Sequence, residues 1–323
     1  MKLPEELLTA IQSIISMKDC KNLLKAREEL SINYRKSKSK QPFITSDIQR
    51  NAYVAARMPA TFAAITTVFK SICQQIPDLS IKSLLDLGGG PGTAMWACTD
   101  LFPEIESITI IEKDTALASL GQKLANYSSR PAIKKAKWVE GDLEKTVSIS
   151  PHDLVVFSYS IGELDPAIWS ELLDQCWQNT NKLLVIIEPG TPAGFERIRL
   201  LRDILIKKGG YLLAPCPHSS TCPMKDSDWC HFRARVERSQ IHRLLKGGDL
   251  GYEDEKFSYL VFSKQLFPIS SSRVLTDPSH HSGHSKLKLC TPDGIQEPIV
   301  SKKMGEKYKE ARKLNWGDPF SLI

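Results

Sequence analysis

The spacing of apolar and polar positions divides the chain into two textures. Up to about residue 75 the apolar positions recur at helical intervals. Leu7, Leu8, Ile11, Ile14 and Ile15 share one face, and Leu23 and Leu24 resume the period after a short break. A polar, basic stretch from Arg35 to Pro42 reads as an exposed linker. Thr45, Ser46 and Asp47 then offer a helix N-cap before an Ala-rich run that ends near Cys73 and is broken or kinked at Pro59. From about residue 81, short β-branched and leucine runs take over, at 83–87, 107–111, 136–139, 153–158, 182–187, 211–213 and 257–262. Helical stretches such as 93–102 and 169–178 separate most of them. This alternation predicts an α/β fold with a doubly wound, mainly parallel sheet. The segment between Cys216 and Cys230 holds Pro, Ser and Thr too densely for a regular element, and 298–313 is a basic helix candidate. The expected division is an N-terminal helical region at 1–78, a sheet domain at 79–265 with a cysteine-rich insertion at 214–232, and a C-terminal extension at 266–323.

Composition changes this picture little. With 323 residues, 41% hydrophobic and 25% charged, the chain is neither disordered nor fibrous. No uncharged apolar run approaches the roughly 18 residues that span a bilayer. Glu5 and Glu6 stand where a secretory or mitochondrial leader has no acids, so the expectation is a soluble, cytoplasmic protein. The net charge of +6 is mild, but its distribution is uneven. Arg233, Arg235, Arg238, Arg243 and Lys246 face only Glu237 between residues 231 and 246. Lys302, Lys303, Lys307, Lys309, Arg312 and Lys313 face Glu306 and Glu310 near the C-terminus. Each stretch nets +4, and clustered cations of this kind suit a phosphate backbone. Trp316, just beyond the second, is expected to pack rather than to stack on a base.

The strongest local signal is Leu84-Leu85-Asp86-Leu87-Gly88-Gly89-Gly90-Pro91-Gly92-Thr93. An apolar strand runs into closely spaced glycines and then a helix, which allows a ligand to approach the backbone closely. Asp86, two residues before the first glycine, would repel a pyrophosphate but suits a ligand bearing an ammonium and no phosphate. Glu112, ending the second strand, is placed to accept ribose hydroxyls, and Asp142, after the third, to accept from an adenine amino group. This ordered set resembles the class I S-adenosylmethionine-dependent methyltransferases. By position the resemblance implies a cofactor site of Asp86, Gly88, Gly90, Gly92, Glu112, Asp142, Leu143 and Ser158. The acceptor side is not readable. After the fourth strand the chain carries Ser158-Tyr159-Ser160-Ile161-Gly162-Glu163, without the Asn/Asp-Pro-Pro-aromatic signature of exocyclic amino methylation. Tyr159 and Glu163 are candidates to face cofactor or substrate, and no catalytic residue is assigned. Pro215-Cys216 has the form of the cytosine-5 nucleophile loop, but there the nucleophile follows the fourth strand, whereas Cys216 lies beyond the fifth.

Four of the eight cysteines, Cys20, Cys73, Cys98 and Cys176, stand singly in apolar or helical contexts and are expected to pack as small hydrophobes. Cys216, Cys222 and Cys230 crowd one irregular loop, with Cys290 farther on. Such a set suggests thiolate ligation of a soft metal. The separations are longer than the two to four residues usual within zinc ligand pairs, so spacing leaves zinc and an iron–sulfur cluster both open. His218 and His231 are expected to be neighbours or surface residues rather than ligands.

The glycine loop, the Pro215-Cys216-Pro217-His218, Cys222-Pro223 and Asp228-Trp229-Cys230-His231-Phe232 segments, the later Leu289-Cys290, and Tyr53-Val54-Ala55-Ala56-Arg57-Met58-Pro59-Ala60-Thr61 upstream together resemble one family. It is the methyltransferase-like family associated with the mitochondrial ribosomal small subunit, with bacterial relatives called predicted rRNA methylases. The resemblance covers about residues 50–295. It implies a class I fold, S-adenosyl-L-methionine as cofactor, a [4Fe–4S] cluster on Cys216, Cys222, Cys230 and Cys290, and small-subunit rRNA or a pre-ribosomal small subunit as partner. Whether members methylate RNA or serve as assembly scaffolds is left open by motif.

Overall fold

The computed structural model describes residues 1–15, 20–35, 43–145, 147–225 and 228–322. Most of the basic linker expected at 35–42 lies outside the described residues. Helices α1 (Glu5–Ile14), α2 (Cys20–Arg35), α3 (Asp47–Ala56) and α4 (Met58–Gln75) form the N-terminal region. Ser46 caps α3 by accepting from the Gln49 N–H. Pro59 does not kink one long helix. It sits in the first turn of α4, where its missing N–H has no helical partner to lose, and α3 and α4 meet at 45°. No single helix among the described residues is long and apolar enough to cross a membrane.

The central sheet is built from β1 (Ser83–Leu87), β2 (Ser107–Glu112), β3 (Lys137–Glu140), β4 (His152–Ser158), β5 (Thr180–Pro189), β6 (Tyr211–Ala214), β7 (Phe232–Glu237) and β8 (Tyr252–Ser263). Its order is β3-β2-β1-β4-β5-β8-β6, with β7 pairing β8 off that path. Strands β1 to β5 are parallel, and β8 runs antiparallel to β5, β6 and β7. Alternate residues of β1 enter opposite cores. Leu84 joins the one shared with α1 to α6, whereas Leu85 and Leu87 join the one shared with α8 and α9. Burial on both faces is what turns these strands into near-continuous apolar runs. The intervening helices are α5 (Thr93–Leu101), α6 (Thr115–Ala125), α7 (Pro131–Lys134), α8 (Trp169–Gln178), α9 (Pro192–Lys207) and α10 (Gln240–Lys246). This is the α/β, class I methyltransferase-like architecture, a doubly wound and mainly parallel sheet with one reversed strand.

Beyond the sheet, the C-terminal extension is largely β. Short strands β9 (Ser272–Val274), β10 (Ser279–His280), β11 (His284–Lys286), β12 (Leu289–Thr291), β13 (Gly294–Gln296), β14 (Ile299–Ser301) and β15 (Pro319–Phe320) form two small sheets around Val274, Leu287, Leu289 and Val300. The helix expected over 298–313 is correspondingly corrected. Ile299 to Ser301 is strand, and only α11 (Glu306–Ala311) is α-helical, because Gly305 takes φ +56° and interrupts the run. Strand β7 was also missed. Phe232, Ala234 and Val236 point inward while Arg233, Arg235 and Glu237 point out, a period-two pattern hidden under a dense run of charges.

Candidate functional site

Strand order reverses between β1 and β4, so their carboxyl ends open a crevice at the topological switch point. The glycine loop fills this position. Gly88, Gly90 and Gly92 have φ of +64°, +56° and +77°. At Gly88 a Cβ would also lie 2.6 Å from Ser160 Cβ, where the loop crosses the chain leaving β4. Ser160 fastens the two strands by donating from Oγ to the Leu87 carbonyl at 2.7 Å. Leu143 lies under the same turn, its Cδ1 3.8 Å from that Cβ position, and Ser158 ends β4 opposite Ile187.

Asp86 is completely buried, and neither carboxylate oxygen has a hydrogen-bond partner. Burial, with Glu112 adding repulsion, pushes its pKa up to about 7 against the pull of the Ala94 N–H, which approaches without reaching hydrogen-bond geometry. A buried carboxylate without a partner is a strong local preference for a cation. Glu112 has a different task from the expected one in this state. It accepts from the Gly90 N–H and the Asp114 N–H, both at 2.8 Å, and thereby ties the loop to the end of β2. Its pKa is also raised by burial, against those two hydrogen bonds. Glu163, on a 3₁₀ turn at Ile161–Glu163, reaches solvent from within a crowded recess. Loss of hydration first, then Glu112 and Glu188, push its pKa up to about 8. The strand ends therefore form an acidic mouth. Asp142 stands apart: Lys113 Nζ is 2.9 Å from Oδ2 and Lys145 Nζ 3.9 Å, and this pairing holds its pKa down. Any adenine partner of Asp142 must share it with Lys113.

Across this mouth lies a constellation whose residues the sequence displayed without roles. Arg57, at the α3–α4 junction, makes two contacts to Glu255 of β8, Nη1 to Oε2 at 3.0 Å and Nη2 to Oε1 at 2.9 Å. Tyr159 donates its hydroxyl to Glu255 Oε1 at 3.0 Å, and the guanidinium stands 5.0 Å from the centre of its ring. Burial works against the Arg57 charge, but Glu255 outweighs it, and the guanidinium stays firmly protonated. Tyr159 is the one non-glycine with positive φ, +58°, among the described residues. That strained conformation turns its ring under Arg57. Tyr53, one helical turn before Arg57, is pushed up to about 12 by burial. Only tertiary pairing with Glu255 gives the Tyr53/Arg57 motif its meaning.

The four cysteines converge. Cys216, Cys222, Cys230 and Cys290 line one small cavity, together with His218, Arg202 and Tyr259. Cys290 arrives on β12, and its Sγ is 3.7 Å from His218 Nε2. Burial raises the Cys216 and Cys230 thiols, and pushes Cys290 up to about 12. A buried, raised thiol is poorly suited to the nucleophile role considered for Cys216. Among the described residues, no group of three His, Cys, Asp or Glu side chains closes around a single metal ion. His231 does not enter the set; it stacks on Trp229 with ring centres 5.1 Å apart and meets Trp316 edge-on at 4.8 Å. Cys98 and Cys176 are buried as expected, whereas Cys20 and Cys73 are only partly so.

Four of the five cations of the first basic stretch are ion-paired, on three carboxylates, while Arg243 is exposed with no ion pair among the described residues. Arg233 pairs with Asp277 at 2.7 Å, Arg235 with Asp254 at 2.7 Å, and Arg238 and Lys246 with Glu253 at 3.1 and 3.3 Å. Glu253 and Asp254 come from β8, the next strand in the chain, and Asp277 from the C-terminal extension. In the tail, Lys307 and Lys309 pair with Glu310 and Glu306, but Lys302, Lys303 and Lys313 are exposed and have no ion pair among the described residues.

With this geometry in view, the family model described as mitochondrial small ribosomal subunit Rsm22 matches residues 47–321. The chain belongs to the Rsm22 family. Its curated relatives include the human protein named ribosome assembly protein METTL17, mitochondrial, at 27% identity over 84% of this chain and 62% of that protein. The Rsm22-cox11 tandem protein 2, mitochondrial, of Schizosaccharomyces pombe is 25% identical over 86% of this chain and 44% of its own length. This Rsm22-family chain thus spans less than two thirds of either relative. Among solved structures, the plantazolicin methyltransferase BpumL in complex with SAH aligns at 12% identity and TM-score 0.43, covering 77% of this chain and 98% of its own. The magnesium protoporphyrin IX methyltransferase of Synechocystis PCC 6803 with bound SAM aligns at 10% and 0.42, over 73% and 91%. The fold assignment rests on strand order and family membership, not on these distant superpositions.

Proposed function

We propose that this protein binds S-adenosyl-L-methionine at the acidic switch-point mouth, carries a [4Fe–4S] cluster on Cys216, Cys222, Cys230 and Cys290, and acts on small-subunit rRNA or in assembly of the small ribosomal subunit. The observation that carries the cofactor reading is Asp86, a fully buried carboxylate with no partner beneath the glycine loop. An ammonium and a sulfonium are the charges such a mouth lacks. Gly90 leaves room above the loop, since a Cβ there would meet only Leu117 at 3.5 Å. The cluster reading is supported by four thiols lining one cavity. A polynuclear centre spans a wider cage than one zinc, which is the alternative. RNA contact is assigned to the exposed Lys302 and Lys303, which follow β14 beside the stacked rings of His281 and His284, whose centres are 4.6 Å apart, and to the exposed Lys313. The relatives' names place them in mitochondria, so the expected cytoplasmic location gives way to that of the small subunit this chain serves.

Methyl transfer from purified protein and labelled S-adenosyl-L-methionine to small-subunit RNA or particles tests the enzyme reading. No incorporation despite calorimetric cofactor binding would turn the assignment to a second reading, a non-catalytic assembly factor on a methyltransferase fold. Arg57, Tyr159 and Glu255 favour that second reading, because the strand end after β4 is committed to an ion pair and a half-buried ring rather than to a free catalytic group. On it, Asp86→Ala abolishes cofactor binding yet leaves assembly intact. A zinc-containing small-molecule methyltransferase is separated by metal and sulfide analysis of anaerobically purified protein.

A further inference from the structure

The four-cysteine cavity holds more positive charge than neutral thiols can answer. Arg202 of α9 and Arg273 of β9 are 2% and 4% exposed. Arg202 donates from Nη2 to the carbonyls of His218 and Ser220, at 2.9 and 2.7 Å. Its acidic neighbour is Asp203, at 3.2 Å but 56% exposed, where water weakens the attraction. The buried Nε of Arg202 has no hydrogen-bond partner. Arg273 donates from Nε to the Pro215 carbonyl at 2.9 Å and from Nη1 to the Gly317 carbonyl at 3.0 Å, and no carboxylate pairs with it among the described residues. It also faces Cys290 directly across the β9–β12 ladder. Both charges act on Cys216 and Cys290, and Arg273 acts on Cys230 as well. Two cations withdrawn from water carry a desolvation penalty unless an anion answers them.

Four thiolates around a [4Fe–4S] core in its oxidised form make a dianion, and so do four thiolates around one zinc ion. We propose that Arg202 and Arg273 are positioning residues that neutralise a dianionic tetrathiolate centre and hold its ligand segments in place. This rests on the assignment of the four cysteines to one metal centre. Each arginine also fixes a different part of the cage. Arg202 grips the backbone between Cys216 and Cys222, while Arg273 links the residue before Cys216 to the strand that carries Cys290. Reduction of a cluster adds one more negative charge, so the two guanidiniums favour the reduced form and raise the midpoint potential.

The test uses the full chain, purified anaerobically as wild type, Arg202→Met, Arg202→Lys, Arg273→Met and Arg273→Lys. Iron, sulfide and zinc per chain are measured, with the rate of metal loss to a chelator and, for iron-loaded protein, the midpoint from potentiometric titration followed by electron paramagnetic resonance. Far-UV circular dichroism and urea unfolding serve as the control for folding. The expected result is metal loss accelerated roughly 10- to 100-fold in the Met variants, a midpoint lowered relative to wild type, and substantial rescue by Lys. Met variants that fold, and that retain metal and midpoint like the wild type, overturn the inference while leaving the centre standing. If the wild type holds zinc in place of iron and sulfide, the cluster reading fails. The arginine inference is then decided by zinc loss, which must accelerate in the Met variants for it to survive. A wild type with neither metal overturns both.

Discussion

Replacing Asp86 with Asn keeps the side-chain shape and removes one titration. Asp86 is fully buried without a hydrogen-bond partner, and its pKa stands at about 7 against an ordinary 3.8. The folded chain therefore holds a proton that the unfolded chain has released between those values. Bound protons are then more numerous in the folded state, and stability falls as pH rises through the window. At about 1.4 kcal/mol per pH unit the full shift corresponds to an upper bound on the order of 4 kcal/mol, since Glu112 titrates alongside. Without ligand, urea unfolding at pH 5, 6, 7 and 8 should show the wild type losing stability relative to Asp86→Asn, with the difference levelling above pH 7. S-adenosyl-L-methionine should reverse the trend, because the ionised carboxylate gains a cationic partner. Calorimetry should find wild-type affinity rising toward pH 8 and a weaker, flatter profile for the variant. Parallel unfolding curves at every pH would refute the buried-carboxyl reasoning. Equal affinities would refute the cation-binding role alone.

Gly88→Ala should lose about 1–3 kcal/mol in urea unfolding and weaken cofactor binding, since φ is +64° and the new methyl would lie 2.6 Å from Ser160 Cβ. Glu253 is the opposite case to Asp86: burial opposes its charge, but His242, Lys246 and Arg238 overcome it and hold its pKa at about 2. Its contribution is present above pH 4.5 and is lost as pH falls toward 2, so Glu253→Gln should flatten acid unfolding in that window, as followed by circular dichroism. Exchanging Lys302, Lys303 and Lys313 for Glu should weaken RNA binding and reduce the salt slope by roughly 0.7 per lost phosphate contact, whereas Arg235→Gln should change neither, as Asp254 already holds that cation. Filter binding across a salt series distinguishes these outcomes.

The central sheet was legible because β1, β2, β4 and β5 are buried on both faces, and such strands can be built only from apolar runs bounded by turn residues. The glycine loop was legible for a related reason: its left-handed φ values restrict the residues allowed there. Strand β7 was not, since its outward Arg233, Arg235 and Glu237 mask Phe232, Ala234 and Val236. The small C-terminal strands escaped as well. With two or three residues each, they are too short for a periodic pattern to emerge, and they exist only through pairing.

Local chemistry thus determined on its own the alternation of strands and helices in the parallel part of the sheet, the loop that turns at Gly88, and which thiols are candidates to act together. Proximity across long separations was decided by the folded state. Cys290 reaches the loop of Cys216, Cys222 and Cys230, Arg57 meets Glu255, and Asp277 pairs with an Arg233 that looked free in the sequence. The physical reason is that backbone preferences and hydrophobic periodicity act over a few residues, whereas charge and desolvation depend on distance through space. A basic run has no fixed electrostatic character until the sheet register has placed its neighbours.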